Sequence, residues 1–456
     1  TCIFRLSKMA DWCALPDMNL GLVFSHLSLV DKVVVSKVCS SWANAVLTPE
    51  AWKSFIYTDY EVTDLQTDSA SSEKEFEKDL IDLIKCVSKY FKNVNICFRS
   101  KLSLEILASV AENSKAIKHL RIVRQTEIQY FVRSHDNTCE SFVKRILQNN
   151  NRLQCLYLRD IDSLPLTEKK IALPIGVAHS NSLTKLTLIQ CYQNCNLSSL
   201  MYLVNLKELT VEQNLLTYSL LHHLAGNSLR DLHIMAVTRH CEMYTENLQN
   251  EHWKEIKQQN PDLRVHGHFS IGHDWVESEI ILKRDMPVQS LHYLKYTLLN
   301  YESLTGLVCN YAQTLVEFID YSALESSYPG RGMRPNLAVC TGLMQIVNTC
   351  HNLKIITVKE RIFSCVLVAM VLKRRDLNIM LLKSQVFFDE LVPDLNLIGY
   401  SHAEVDMIRN GCLDLSSLLE LFQHLTGQSW HFYTHNELSK ALFSNQLYLW
   451  DRAGLI

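Results

Sequence analysis

The chain of 456 residues is 47% hydrophobic, enough to bury a large core spread over one to three domains or a repeat array. Its 45 Lys and Arg against 48 Asp and Glu leave a formal net charge of -3, which excludes a whole-chain electrostatic footprint for nucleic acid or an anionic membrane. The 15 cysteines are scattered, without the dense spacing of a secreted disulfide scaffold, so reduced thiols and a cytoplasmic or nuclear setting are expected.

The opening stretch, TCIFRLSKMADW, holds no apolar run of signal-peptide length, and Met9 is a candidate initiator that would place residues 1-8 before the native start. Just after Pro16, the spacing of Leu20, Val23, Phe24 and Leu27 at i, i+3, i+4 and i+7 predicts a helix with one apolar stripe. Asp31 is read as the cap of a second helix carrying Val34 and Val38. Thr48, Pro49 and Glu50 read as N-cap, N1 and first-turn acid of a further helix bearing Trp52. Helices this short cannot bury that much apolar surface among themselves, so part of it is expected to face another element or another protein.

The order Leu15-Pro16, Val23-Phe24, Leu27, Asp31, Val38-Cys39, Trp42 and Trp52 resembles the F-box, the helical motif that docks on the adaptor Skp1 of cullin-RING ubiquitin ligases. The resemblance covers residues 12-55 and departs at Ser40-Ser41, where basic residues are common. It implies that Leu15, Pro16, Leu20, Val23, Phe24, Leu27, Asp31, Val38, Cys39, Trp42 and Trp52 bind the adaptor. The competing reading is that these residues are the core of an ordinary helical subdomain.

Residues 56-72, polar and Ser-rich at their centre, read as a linker. Phe76, Leu80, Leu83, Ile84, Val87 and Phe91 then keep helical spacing, and Val94, Ile96 and Phe98 alternate as on a strand. A pattern Leu-x-x-Leu-x-Leu recurs at Leu153, Leu156, Leu158; Leu183, Leu186, Leu188; Leu206, Leu209, Val211; and Leu229, Leu232, Ile234. The starts at 183, 206 and 229 are 23 residues apart, within the period of leucine-rich repeats, with weaker copies at Ile117, Leu291, Leu315, Leu353 and Leu377. The predicted fold is therefore α/β: an N-terminal helical F-box, an irregular leucine-rich-repeat solenoid, or horseshoe, over 73-400, and a C-terminal cap over 401-456. Leu413, Leu415, Leu418, Leu419, Leu421 and Phe422 supply the cap's helical material. Independent strands of an ordinary α/β domain are the alternative.

With the leucines inward, alternate strand residues are expected on the concave face, which makes Tyr157, Arg159, Lys185, Thr187, Glu208, Thr210, Glu212, Asp231 and His233 the candidate target-binding row. No constellation for chemistry competes with it. Cys191 and Cys195 lack a second pair at zinc spacing. His266, His268 and His273 read as decorating a strand, and His431 and His435 lack the zincin glutamate. The stretch from Pro329 to Pro335 lacks a phosphate-loop ending, and 13 glycines include no nucleophile elbow. The apolar run from Cys365 to Leu372 is too short to span a bilayer.

Together the parts resemble F-box proteins with degenerate leucine-rich repeats, and more loosely the subgroup of F-box only proteins 33 and 39, through NPDLRVHGHF and MPVQSLHYL. The resemblance implies a non-catalytic substrate receptor of an SCF ligase, without cofactor or metal. Its partners would be Skp1, cullin-1 and the RING subunit through the adaptor, and an unknown protein target, with no nucleic acid and no membrane. An adaptor-binding scaffold outside any ligase and an undetected enzyme are the other readings.

Overall fold

The computed structural model describes residues 15–58, 70–98, 100–124, 136–159, 172–189, 197–236, 248–269, 282–293, 301–320, 334–358, 360–388, 399–410, 414–427 and 430–443. The chain divides into two compact units, Thr1–Thr210 and Val211–Ile456.

The first unit opens with three short helices, α1 (Asp17–Phe24), α2 (Leu29–Val35) and α3 (Ser40–Val46), followed by a 3-10 turn at Pro49–Trp52. Pro16 stands at the N-cap of α1 as expected. The cap of α2 is Ser28, not Asp31. Ser28 Oγ accepts from the Asp31 backbone N–H at 3.1 Å and donates to the Asp31 carboxylate at 2.7 Å, so Asp31 is the first-turn acid that supports the cap. Helix α1 stops at Phe24, which leaves Leu27 beyond its stripe.

The expected linker begins as a strand. β1 (Ser54–Thr58) pairs in parallel with β2 (Asn93–Phe98), Ser54 opposite Asn93 and Thr58 opposite Cys97. Between them lies α4 (Ala70–Val87), and residues 59–69 fall outside the described chain. The alternation then continues through α5 (Lys101–Asn113), β3 (His119–Arg124), α6 (Asp136–Asn149), β4 (Cys155–Arg159), α7 (Ala172–Ala178) and β5 (Lys185–Ile189). β2, β3, β4 and β5 pair side by side, all in parallel. The unit boundary falls within β6 (Glu208–Glu212).

The second unit holds α8 (Tyr218–Ala225), β7 (Asp231–Ala236), α9 (Asn250–Gln259), β8 (Arg264–Phe269), β9 (Val288–Tyr293), α10 (Tyr301–Tyr311), β10 (Glu317–Asp320), α11 (Leu337–Thr349) and β11 (Ile355–Thr357). After them come β12 (Ile362–Phe363), α12 (Ser364–Lys373), β13 (Asn378–Ile379), β14 (Val386–Phe387), α13 (His402–Asn410), α14 (Leu415–Thr426) and α15 (His435–Phe443). β7, β8, β9, β10, β11 and β13 pair in parallel in that order, and β12 pairs with β14. Each unit is therefore α/β on parallel strands. α12 carries the apolar run from Cys365 to Leu372 and is buried throughout, with α13 and α14 packed against it; Leu418, Phe422 and Leu425 are the inward residues of α14. His431 lies before α15, which begins at His435, so the two histidines share no helix.

The repeated leucines are all interior. Leu153, Leu183, Leu206, Leu229, Leu315 and Leu353 each sit two residues before a strand, while Leu291 lies inside β9. A recurring asparagine accompanies them. Buried Asn150 accepts from the Ile117 N–H at 2.8 Å and donates to the carbonyls of Ser114 and Ile146. Asn260 donates to Ala225 and Leu229, Asn205 to Asn181, and Asn352 to Gln313, each reaching back to the preceding strand-helix segment.

The open concave row is corrected. Tyr157, Arg159, Thr187, Thr210 and Glu212 are buried while Lys185, Glu208, Asp231 and His233 are half-buried, so alternation does not sort the row into core and solvent. Leu186→Ala is expected to lower stability by about 2 to 5 kcal/mol through the cavity it leaves. Asn150→Ala should cost about 1 to 3 kcal/mol by orphaning three backbone groups. Denaturant unfolding checks both, and a neutral Asn150→Ala would contradict its bridging role.

Candidate protein-docking site

The three N-terminal helices close around two tryptophans. Leu20 and Phe24 of α1 point inward, and Trp42 of α3 meets Phe24 edge-on at 5.4 Å. Trp52 is fully buried. Its Nε1 donates to the Val46 carbonyl at 2.6 Å, and the Lys32 ammonium lies 4.7 Å over its ring. Burial lowers the pKa of Lys32, which keeps its contact with the ring despite that cost. Next to Trp52, Phe55 stacks on Phe91 at 4.6 Å and 8°, and Phe91 lies 5.9 Å from Trp52. An ion pair from Lys37, two residues past the end of α2, to Asp79 of α4 adds a second tie to the following helix.

One position is set by space alone. A Cβ on Gly21 would stand 2.2 Å from Thr48 Oγ1 and 3.4 Å from the Ala45 carbonyl oxygen, so only glycine lets α1 cross α3 this closely. Thr48 is held there by its hydroxyl, which donates to that same carbonyl at 2.7 Å.

With the interior filled, apolar residues remain outside. Met18 is 58% exposed, Leu22 47%, Val23 44%, Val34 54% and Val38 56%, and Leu15 and Leu47 join them. α1 is thus apolar on both its inward and outward sides, a pattern normal for a helix buried all round. Such a rim of exposed branched residues on a domain this small marks a protein contact.

Of the residues expected at the adaptor, Leu15, Pro16, Val23, Asp31 and Val38 are exposed, and Leu27, Cys39 and Trp42 are half-buried. Leu20, Phe24 and Trp52 are corrected to interior residues that shape the surface from beneath, because the helices need them to close their own core. Met18, Leu22, Val34 and Leu47 are further exposed apolar residues, which the resemblance does not place at the adaptor. Their signal was the number of apolar residues off the stripe of α1 and α2.

The candidate target row is placed differently in each unit. In the first, Lys185 and Glu208 form an ion pair at 2.7 Å. In the second, Asp231 pairs with Arg264 at 2.6 Å and His266 at 3.3 Å, while His233 bonds His268 at 3.0 Å. Burial pushes the Asp231 carboxyl up, but bonds from His266 and Arg264 outweigh it and bring it down to about 2. Cys191, Cys195, His273 and Pro329 to Gly332 lie outside the described residues. Among the described residues no group of three His, Cys, Asp or Glu is placed to hold a metal ion, and no helix is long and apolar enough to cross a membrane.

The F-box-like family matches residues 12–58, a segment that takes in the three helices, the 3-10 turn and β1 to its last residue. No curated protein matches the chain. Residues 12–58 are thus an F-box-like domain, and the match supports an F-box protein that binds Skp1.

Gly21→Ala is expected to cost about 1 to 3 kcal/mol by overpacking. Adding Thr48→Ala should recover most of the loss, since it removes the nearest atom. Thermal melts of the single and double variants check the crossing; equal destabilisation in both would contradict it.

Proposed function

We propose that this protein is the substrate-recognition subunit of an SCF ubiquitin ligase. The F-box-like domain seats on Skp1, the adaptor brings cullin-1 and the RING subunit, and the α/β region that follows, read as irregular leucine-rich repeats, captures a protein target. The chain performs no chemistry itself in this reading, needs no cofactor, and works in the cytoplasm or nucleus. Its layout suits the subgroup of F-box only proteins 33 and 39.

One observation carries the reading. A domain whose own core is closed by Leu20, Phe24 and Trp52 still presents Leu15, Met18, Leu22, Val23 and Val38 to solvent, and these need an apolar partner surface. Target capture is assigned to the half-buried polar and charged residues that the strands leave accessible: Lys185 and Glu208 in the first unit, and Asp231 and His233 in the second. Charges of this kind tune association rate and specificity more than affinity.

The test is Skp1 binding by the double variant Leu15→Ala, Val23→Asp. Both side chains are exposed, so the fold should keep its melting temperature, while losing an apolar anchor and burying a charge weakens binding by at least about 2 kcal/mol, roughly 30-fold in Kd. Undiminished Skp1 binding would overturn the docking surface. Skp1 binding without recruitment of cullin-1 would leave a scaffold in place of a ligase receptor.

A further inference from the structure

Four histidines gather on one face of three neighbouring strands in the second unit. His233 lies on β7, His266 and His268 on β8, and His292 on β9; the register sets His233 beside His266 and His268 beside His292. The rings of His233 and His266 stack at 4.4 Å, His233 and His268 at 5.3 Å, and His268 meets His292 edge-on at 4.8 Å. A hydrogen bond of 3.0 Å joins His233 Nδ1 to His268 Nε2. One of those nitrogens must donate and the other accept, so the two rings cannot both be imidazolium while the bond stands.

Carboxylates stand at the two ends of the ladder. His266 Nε2 is 3.3 Å from Asp231 Oδ1, with its Nδ1 2.7 Å from Ser290 Oγ, and His292 Nε2 is 3.5 Å from Glu317 Oε2. His268 and His292 are fully buried. The printed contacts run along the row from Asp231 to Glu317, and among the described residues no group of three is placed to hold a metal ion. A charge on His268 would be stripped of water and set against its neighbours' rings.

We infer that this imidazole ladder is an acid-sensitive latch: with His268 uncharged, it packs and hydrogen-bonds β7, β8 and β9 side by side, and proton uptake at His268 loosens those strands. Among the described residues, the titratable and charged groups around His268 are Asp231 and His233 from β7, Arg264 and His266 from β8, His292 from β9 and Glu317 from β10. Asp231 and Glu317 are both held below the usual carboxylate range, Asp231 by His266 and Arg264 against its own burial, and Glu317 by its bond with His292. A depressed carboxyl contributes stability above its unfolded pKa, near 4, and loses it below, so neither acts between about pH 6.5 and 5.

Burial and the three neighbouring rings hold His268 well below the ordinary histidine range, whereas the unfolded chain takes its proton near pH 6.5. The stability that a neutral His268 contributes is therefore complete above about pH 6.5 and falls as the pH drops. For one proton, the opening constant rises up to about tenfold per pH unit.

The test is hydrogen exchange of the full chain, corrected for the intrinsic pH dependence of exchange, on peptides covering β7 to β9. Between pH 6.5 and 5.5 the opening constant should rise up to about tenfold. His268→Asn keeps a partner for His233 and His268→Phe keeps the ring; both should lose the rise, whatever their protection at neutral pH. His223→Asn, on the exposed side of α8, should keep it. Ring 15N spectra of the wild type give a readout that needs no variant, with His268 neutral at pH 5.5. A flat wild-type opening constant, a rise that survives both His268 substitutions, or an imidazolium at His268 near pH 6 would overturn the latch.

Discussion

Three mutually packed aromatic rings govern what the N-terminal domain can be. Trp52 closes the helices, Phe55 begins the parallel strand that leaves them, and Phe91 comes from the far end of α4 to pack against both. The backbone repeats the connection, since the amides of Lys92 and Asn93 both donate to the Lys53 carbonyl before β1 and β2 pair. A domain of about 45 residues is marginal by itself. Here the adjoining strand and helix supply the missing core, so the docking helices and the start of the parallel sheet form one packed body.

That shared core has a functional consequence. Because Leu20, Phe24 and Trp52 are satisfied from within and from Phe91, the outward residues of α1 and α2 are free of structural duty and can be apolar for a partner's sake. The surface is presented from a fixed base. With Lys37, just past α2, paired to Asp79 of α4 and β1 already in the sheet, the first unit offers its docking face without a swivel immediately behind it. Rigid presentation lowers the ordering cost of association.

Much of this was legible in the sequence, for identifiable reasons. Trp52 and the 23-residue leucine spacing report side chains that are buried, and the Leu-Pro entry marks where α1 begins. Two kinds of information were hidden. Inward and outward residues of α1 could not be separated, since Leu20 and Leu22 are chemically alike and only the crossing at Gly21 decides which is covered. Likewise Thr187 and Thr210 look like solvent-facing residues by alternation but are buried, Thr187 beside the larger Tyr157 across the ladder, which alternation alone does not foretell. The strand at Ser54–Thr58 was missed for another reason: with Ser and Thr at its ends it reads as the edge of a polar linker, and its pairing partner lies almost 40 residues away.

The dependence of the docking face on the sheet is tested most directly by amide exchange of α1, α2 and α3 in a Phe91→Ala variant. Phe91 lies outside the F-box-like match, yet the shared core requires that removing its ring speed exchange in all three helices together with β1. Faster exchange confined to β2 and α4, with the three helices as protected as in the wild type, would show that the docking domain stands alone and contradict this account.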